Sequence, residues 1–177
     1  ERHSELLNIH YPLRRQRQMC IKRQSKNTSS GNGKCNDKAG SDINLGLQLV
    51  TQGDFKGATK QFKQAVKDDS KCSLAYLDLA SAYLERKDYD KAIDAGKEGL
   101  KNAGENPDLE YVLAEAYSDD NKLDYAEDAL KKALKEGFND PNKLQNDKDL
   151  ANLRNARKKD FCDILAKNKI AIKYCIL

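Results

Sequence analysis

Residues 84–100 read LERKDYDKAIDAGKEGL, and the stretch turns on Ala92, a small residue in a segment with few large apolar ones. Ala58 lies 34 residues before it and Ala126 lies 34 residues after it. Ala92 therefore belongs to a column. A fixed step of about 20 to 50 residues marks a repeat architecture, in which stacked units bury one continuous core.

Further columns keep the same step. Leu45, Leu79 and Leu113 align, as do Gly46, Ala80 and Ala114; Leu49, Tyr83 and Tyr117; and Phe55, Tyr89 and Leu123. Behind the alanine come Phe62, Gly96 and Leu130, then Ala65, Gly99 and Ala133, then Val66, Leu100 and Leu134. Within each copy the columns form two groups separated by a polar turn. Each group has the three-and-four spacing that places apolar residues on one helical face, so each copy is two helices. The small residues fall where paired helices cross, because a larger side chain would hold the two backbones apart.

The turns agree with this division. Gly53, Lys87 and Asn121 share one column just past the first helix, where a left-handed residue commonly ends a helix and Gly or Asn adopts it with least strain. Asp54 and Asp88 follow as caps for the second helix, and Lys122 departs from that pattern. Helix starts are expected at Ser73 and at Pro107.

The pattern resembles the tetratricopeptide repeat, a 34-residue helix-turn-helix unit with a Leu-Gly, Tyr, Ala, Phe signature. The matching residues are Leu45-Gly46, Leu49, Ala58, Phe62 and Ala65; Leu79-Ala80, Tyr83, Ala92 and Gly99; and Leu113-Ala114, Tyr117, Ala126, Leu130 and Ala133. The resemblance implies an all-α fold, an α-α superhelix of three repeats at about 39–72, 73–106 and 107–140 within residues 41–138. The chain departs from the family at Asp42, Tyr76 and Glu110, where Trp or another large apolar residue is usual, and at Ser70, Gly104 and Phe138, which replace the terminal proline. Gly96 and Gly99 each cost roughly 1 kcal/mol against alanine in a helix, which reads the middle repeat as the softest.

No fourth copy follows, because the step from Leu113 and Ala114 lands on Asp147 and Lys148. Residues 139–177 instead read as capping helices with Leu144, Leu150, Leu153 and Phe161 turned inward, since a stacked array needs an end with a polar outer face. Asp149-Leu150, Leu153-Arg154 and Phe161 resemble the closing segment of bacterial repeat proteins. Residues 1–40 carry 9 Lys and Arg against 3 Asp and Glu, residues 41–138 carry 14 against 20, and residues 139–177 carry 9 against 5. An acidic body thus lies between basic ends. The first forty residues show no sustained period and read as a disordered tail. Met19, the only methionine, is a candidate natural start.

The residue types for chemistry are scarce. Cys20, Cys35, Cys72, Cys162 and Cys175 form no closely spaced pair, and His3 and His10 lie in the tail. The cysteines therefore read as free thiols in a reducing, cytoplasmic setting, with no metal site, no cofactor and no Cys-His nucleophile. Phosphate loops, dinucleotide fingerprints and nucleophile elbows are missing, and the exposed pair Asp119 and Asp120 does not read as catalytic. No apolar run reaches membrane-spanning length, and residues 1–22 lack the apolar centre of a signal peptide. The expectation is a chain with no enzymatic activity.

In the family the first helix of each pair lines a concave groove. The resemblance assigns that surface to Asn44, Leu47 and Thr51, to Leu77, Asp78, Ser81 and Glu85, and to Tyr111, Glu115 and Asp119. Apolar and acidic groups together suit a basic, amphipathic guest. One branch of the family clamps the acidic C-termini of chaperones with basic groove residues; Ile43, Leu47, Asp78, Asp108 and Val112 stand there instead, so that clamp is not expected. The leading expectation is a protein-interaction scaffold holding a partner peptide or helix. The alternative is a nucleic-acid-associated factor using the basic termini, although Arg14-Arg15-Gln16-Arg17-Gln18 has no aromatic stacking platform beside it.

Overall fold

A computed structural model describes residues 35–176, and every regular element among them is a helix. The tail residues Cys20, His3, His10 and Met19 lie outside this range. Three helix pairs come first: α1 (Asp37–Thr51) with α2 (Phe55–Asp68), α3 (Ser73–Glu85) with α4 (Tyr89–Ala103), and α5 (Pro107–Asp119) with α6 (Leu123–Lys135). Four short helices follow, α7 (Pro141–Asn146), α8 (Ala151–Ala156), α9 (Lys158–Lys167) and α10 (Lys173–Ile176). The pairs stack in sequence order: α2 packs on α3, α4 packs on α5, and each first helix also touches the next first helix. α1 opens at Asp37, so residues expected in the tail begin the array instead.

The helix ends follow from local chemistry. Asn36, Asp54, Asn106 and Asp140 accept hydrogen bonds from the backbone N–H groups of Ala39, Gly57, Leu109 and Lys143, which would otherwise lack partners. Asp88 makes no such bond and pairs with Arg86 at 3.0 Å instead. Gly53, Lys87 and Asn121 all stand in the left-handed region, at φ of 80°, 59° and 58°. The turn geometry of the repeat thus holds even where a lysine must adopt it.

The alanine column lies at the heart of the array, with Ala58, Ala92 and Ala126 fully buried. Ala80 and Ala114 are equally buried. Phe62 is 1 % exposed, and its burial stabilises the fold by roughly 1.5–3 kcal/mol. Tyr76 fills the position where the family favours Trp, and its hydroxyl accepts a hydrogen bond of 2.8 Å from Asn102.

The middle-repeat glycines are packing holes rather than soft points. A Cβ on Gly96 would lie 2.7 Å from a Leu113 methyl, and one on Gly99 would lie 2.6 Å from the Tyr76 Cβ. Helix α4 can approach α3 and α5 only because these two side chains are absent.

The four cysteines among the described residues are bonded, which corrects the free-thiol reading for them. Disulfides join Cys35 to Cys72 and Cys162 to Cys175. The first pair is 37 residues apart in sequence and ties the start of α1 to the start of α3. Spacing conceals it because the repeat, rather than a short loop, brings the two residues together.

Candidate functional site: the groove of the first helices

The surface that the resemblance assigns to a groove belongs to α1, α3 and α5. On α1 and α3 the exposure of its residues varies. Asn44 and Thr51 are exposed, Leu47 is half-buried, and Leu77 is buried with Asp78, Ser81 and Glu85 half-buried beside it. Ile43 and Val112, considered above as clamp positions, are buried in the core.

Toward α5 the groove is filled by the chain itself, so Tyr111 and Glu115 are not free for a guest. The Lys143 ammonium of α7 lies 2.6 Å from a Glu115 carboxylate oxygen and 4.0 Å over the Tyr111 ring. The Tyr111 hydroxyl donates to Asp147 at 3.0 Å, and Phe138 stacks on the same ring with centroids 4.0 Å apart. Farther along α5, the Ser118 hydroxyl accepts a hydrogen bond from the Leu153 N–H at 3.2 Å. Leu144, Leu150, Leu153 and Phe161 are fully buried. These apolar side chains are withdrawn from water as the cap closes on the last repeat, where α8 packs on both α5 and α6.

Electrostatics follow burial. Asp78 has no hydrogen bond or ion pair among the described residues, and loss of water around it pushes its carboxyl up to about 7. Asp149 also rises to about 7, first through burial and then through the charge of Asp147. Glu85 and Asp119 are raised chiefly by burial, opposed by Lys148. The charges of Asp119 and Glu85 also raise Asp149, with Lys148 as a partial counter-charge. Lys143 is raised, because the attraction of Glu115 and Asp147 outweighs the burial that would lower it. Among the described residues no group of His, Cys, Asp and Glu is placed to hold a metal ion, and no helix is long and apolar enough to cross a membrane.

Two tetratricopeptide-repeat family profiles match the chain, at residues 43–107 and 83–146. The chain belongs to the tetratricopeptide repeat family. No curated protein matches it. Among solved structures, the repeat array is similar to the Yersinia enterocolitica type III secretion chaperone SycD in complex with a peptide of the translocator YopD. That match has 20% identity and a TM-score of 0.56, over 76% of this chain and 94% of that one. Another crystal structure of Yersinia enterocolitica SycD, described as an alternative dimer, matches at 21% identity and a TM-score of 0.57, over 76% of this chain and 93% of that one. MamA matches at 21% identity and a TM-score of 0.58, over 70% and 72%. At this identity the likeness is one of fold: a tetratricopeptide array on which the groove geometry described above is built.

Proposed function

We propose that this tetratricopeptide protein is a non-enzymatic interaction scaffold whose open groove, along Leu47, Leu77, Asp78 and Ser81, holds a basic amphipathic segment of a partner protein. The observation that carries this reading is the chain's own cap. Lys143 and Leu144 are adjacent on α7; the lysine meets Glu115 and Tyr111, while the leucine is fully buried. One short helix thus offers the groove an ammonium and an apolar side chain together. One repeat earlier, Leu77 stands in the column of Tyr111 and Ser81 in that of Glu115. Asp78 supplies the unpaired carboxylate beside them, with Asn44, Glu85 and Asp119 at the margins. The SycD complex with a YopD peptide is in keeping with peptide recognition on such an array.

The two disulfides favour an oxidising compartment over the cytoplasm, because reducing pools keep such thiols free. A model amphipathic helix of Leu and Lys, titrated against the chain by calorimetry, tests the groove. Binding should weaken by at least about tenfold in Leu77→Arg, which places a like charge on the guest's apolar side. Equal affinity for wild type and Leu77→Arg refutes the groove reading.

A further inference from the structure

A second surface has the opposite character. Tyr83 lies five residues beyond Asp78 on α3, which places it about 140° round the helix from the groove carboxylate. There α2, the end of α3 and α4 border an open, shallow pocket of about 230 Å³ lined by Lys56, Thr59, Lys60, Lys63, Tyr83, Arg86 and Lys91. Lys56, Lys60 and Lys63 stand at i, i+4 and i+7 on α2, a spacing that turns all three to one side.

Five cations line the pocket, and one carboxylate outside the lining pairs with two of them. Asp88 pairs with Arg86 at 3.0 Å and with Lys91 at 3.6 Å. Lys56, Lys60 and Lys63 have no carboxylate partner among the described residues. The floor is fixed. The Arg86 guanidinium donates to the Thr59 hydroxyl at 3.1 Å and lies 5.8 Å from the Tyr83 ring centroid, with Lys63 at 5.5 Å and Lys91 at 5.9 Å from the same ring. Thr59 is itself buried and donates to the Lys56 carbonyl at 2.9 Å, so its hydroxyl is locked as the acceptor that aims Arg86. Part of this arrangement recurs: Lys97 lies 5.7 Å over Tyr117 one repeat later. The surrounding Lys56, Lys60 and Arg86 have no counterpart there, since Asp90, Asp94 and Asp120 occupy those columns. The lysine over tyrosine is therefore a feature of the repeat, whereas the concentration of positive charge is specific to the first junction.

We propose that this junction is an anion site for a phosphate-bearing group. A carboxylate brings one charge and two acceptor oxygens, and Asp88 already supplies one to Arg86 and Lys91. A phosphate brings close to two charges and three acceptor oxygens, which suits the three remaining ammoniums and the outer N–H groups of the guanidinium. The volume falls below the roughly 300 Å³ at which pockets for drug-sized ligands begin, so the group bound is a compact anion or a phosphorylated side chain. It is distinct from the groove guest, on another side of α3 and of opposite charge.

The test is site-resolved NMR of the intact chain titrated with pyrophosphate at constant ionic strength. The expected result is saturable shifts of the Thr59 and Tyr83 resonances, with affinity lowered at least about tenfold in Lys60→Glu/Lys63→Glu. Both lysines are exposed, so the variant should keep the helical circular dichroism of the parent. Arg14→Glu/Arg15→Glu, which alters the basic tail alone, should leave these shifts unchanged. A phosphoserine peptide in the second arm identifies the source: displacement of pyrophosphate assigns the site to a phosphorylated partner, and pyrophosphate binding without displacement assigns it to a free anion. Absence of saturable shifts, or shifts that survive the Lys60 and Lys63 reversals, overturns the proposal.

Discussion

The Lys143 ammonium sits 2.6 Å from the Glu115 carboxylate, inside the groove of the third repeat, with both side chains largely withdrawn from water. This pair couples the cap to the array. Removing one partner of such a pair leaves a buried charge uncompensated, at a cost of about 3–5 kcal/mol. Lys143→Met should lower stability by that order in urea denaturation at pH 8. The deficit should shrink in acid, where Glu115 is protonated and carries no charge to compensate, and Lys143→Met/Glu115→Gln should recover only part of it, because Asp147, 3.7 Å from the ammonium, still loses its cation. A Lys143→Met variant as stable as wild type would mean that α7 is not seated in the groove.

The glycines of α4 give a second test. If Gly96 and Gly99 were ordinary helix glycines, alanine at either site would stabilise by roughly 1 kcal/mol. With Leu113 and the Tyr76 Cβ inside contact distance of the added methyl, overpacking at about 1–3 kcal/mol dominates. Gly99→Ala should be the more damaging, because the Tyr76 Cβ is fixed to its backbone while the Leu113 methyls can rotate aside. Chemical denaturation of the two variants decides, and a gain in midpoint for Gly99→Ala would restore the soft-repeat reading.

The repeat period made the fold legible in the sequence, and the physical reason is that one unit must bury the next. Every 34-residue step from Ala92, Leu79 or Ala80 meets the same neighbour, so the pattern in the chain is the pattern of contacts. Even Lys87 could be placed in a left-handed turn from its column alone. The filled groove was not legible in this way. Lys143 meets Glu115 and Tyr111 only once, without periodicity, and no spacing rule announces a contact made by the segment that ends the array. The Cys35 and Cys72 bond was hidden for a related reason: residues 37 apart become neighbours only after the hairpin between them has folded. The resemblance assigns Asp78 to the groove from its position, but its lack of an ion pair or hydrogen bond among the described residues could be known only once the surrounding side chains were in place.

The disulfides lead to a count. Four of the five cysteines are bonded to one another, and Cys20, outside the described residues, is the one these two bonds do not use. Thiol titration of the unfolded, unreduced chain should find one thiol, and five after reduction. On the chain-entropy model the 37-residue and 13-residue separations contribute roughly 4 and 3 kcal/mol. Reduction should therefore lower the melting temperature, and Cys35→Ser/Cys72→Ser should reproduce the larger part of the fall. Five free thiols before reduction would remove both the bonds and the argument for an oxidising compartment.

Asp78 ties the groove to pH. In an unfolded chain its carboxyl titrates near ~3.9, whereas in the fold it titrates at about 7. Between those values the folded chain holds a proton that the unfolded chain has released. Stability therefore falls as pH rises from about 4 to about 7, and is level above that. Asp149, also raised to about 7, acts in the same direction, so the informative quantity is the difference between wild type and Asp78→Asn. The variant should match wild type in melting temperature near pH 4 and exceed it near pH 8. Affinity for a basic guest should show the reverse trend. Only the ionised carboxylate attracts an ammonium, so binding by wild type should strengthen from pH 5.5 to pH 8, and Asp78→Asn should lose most of that gain. Thermal melts across the pH range, paired with calorimetric titration of the Leu and Lys peptide, separate the two effects. Parallel melting curves for wild type and variant from pH 4 to pH 8 would show that Asp78 is well solvated and ionised throughout, and any strengthening of guest binding between pH 5.5 and pH 8 would then have another origin.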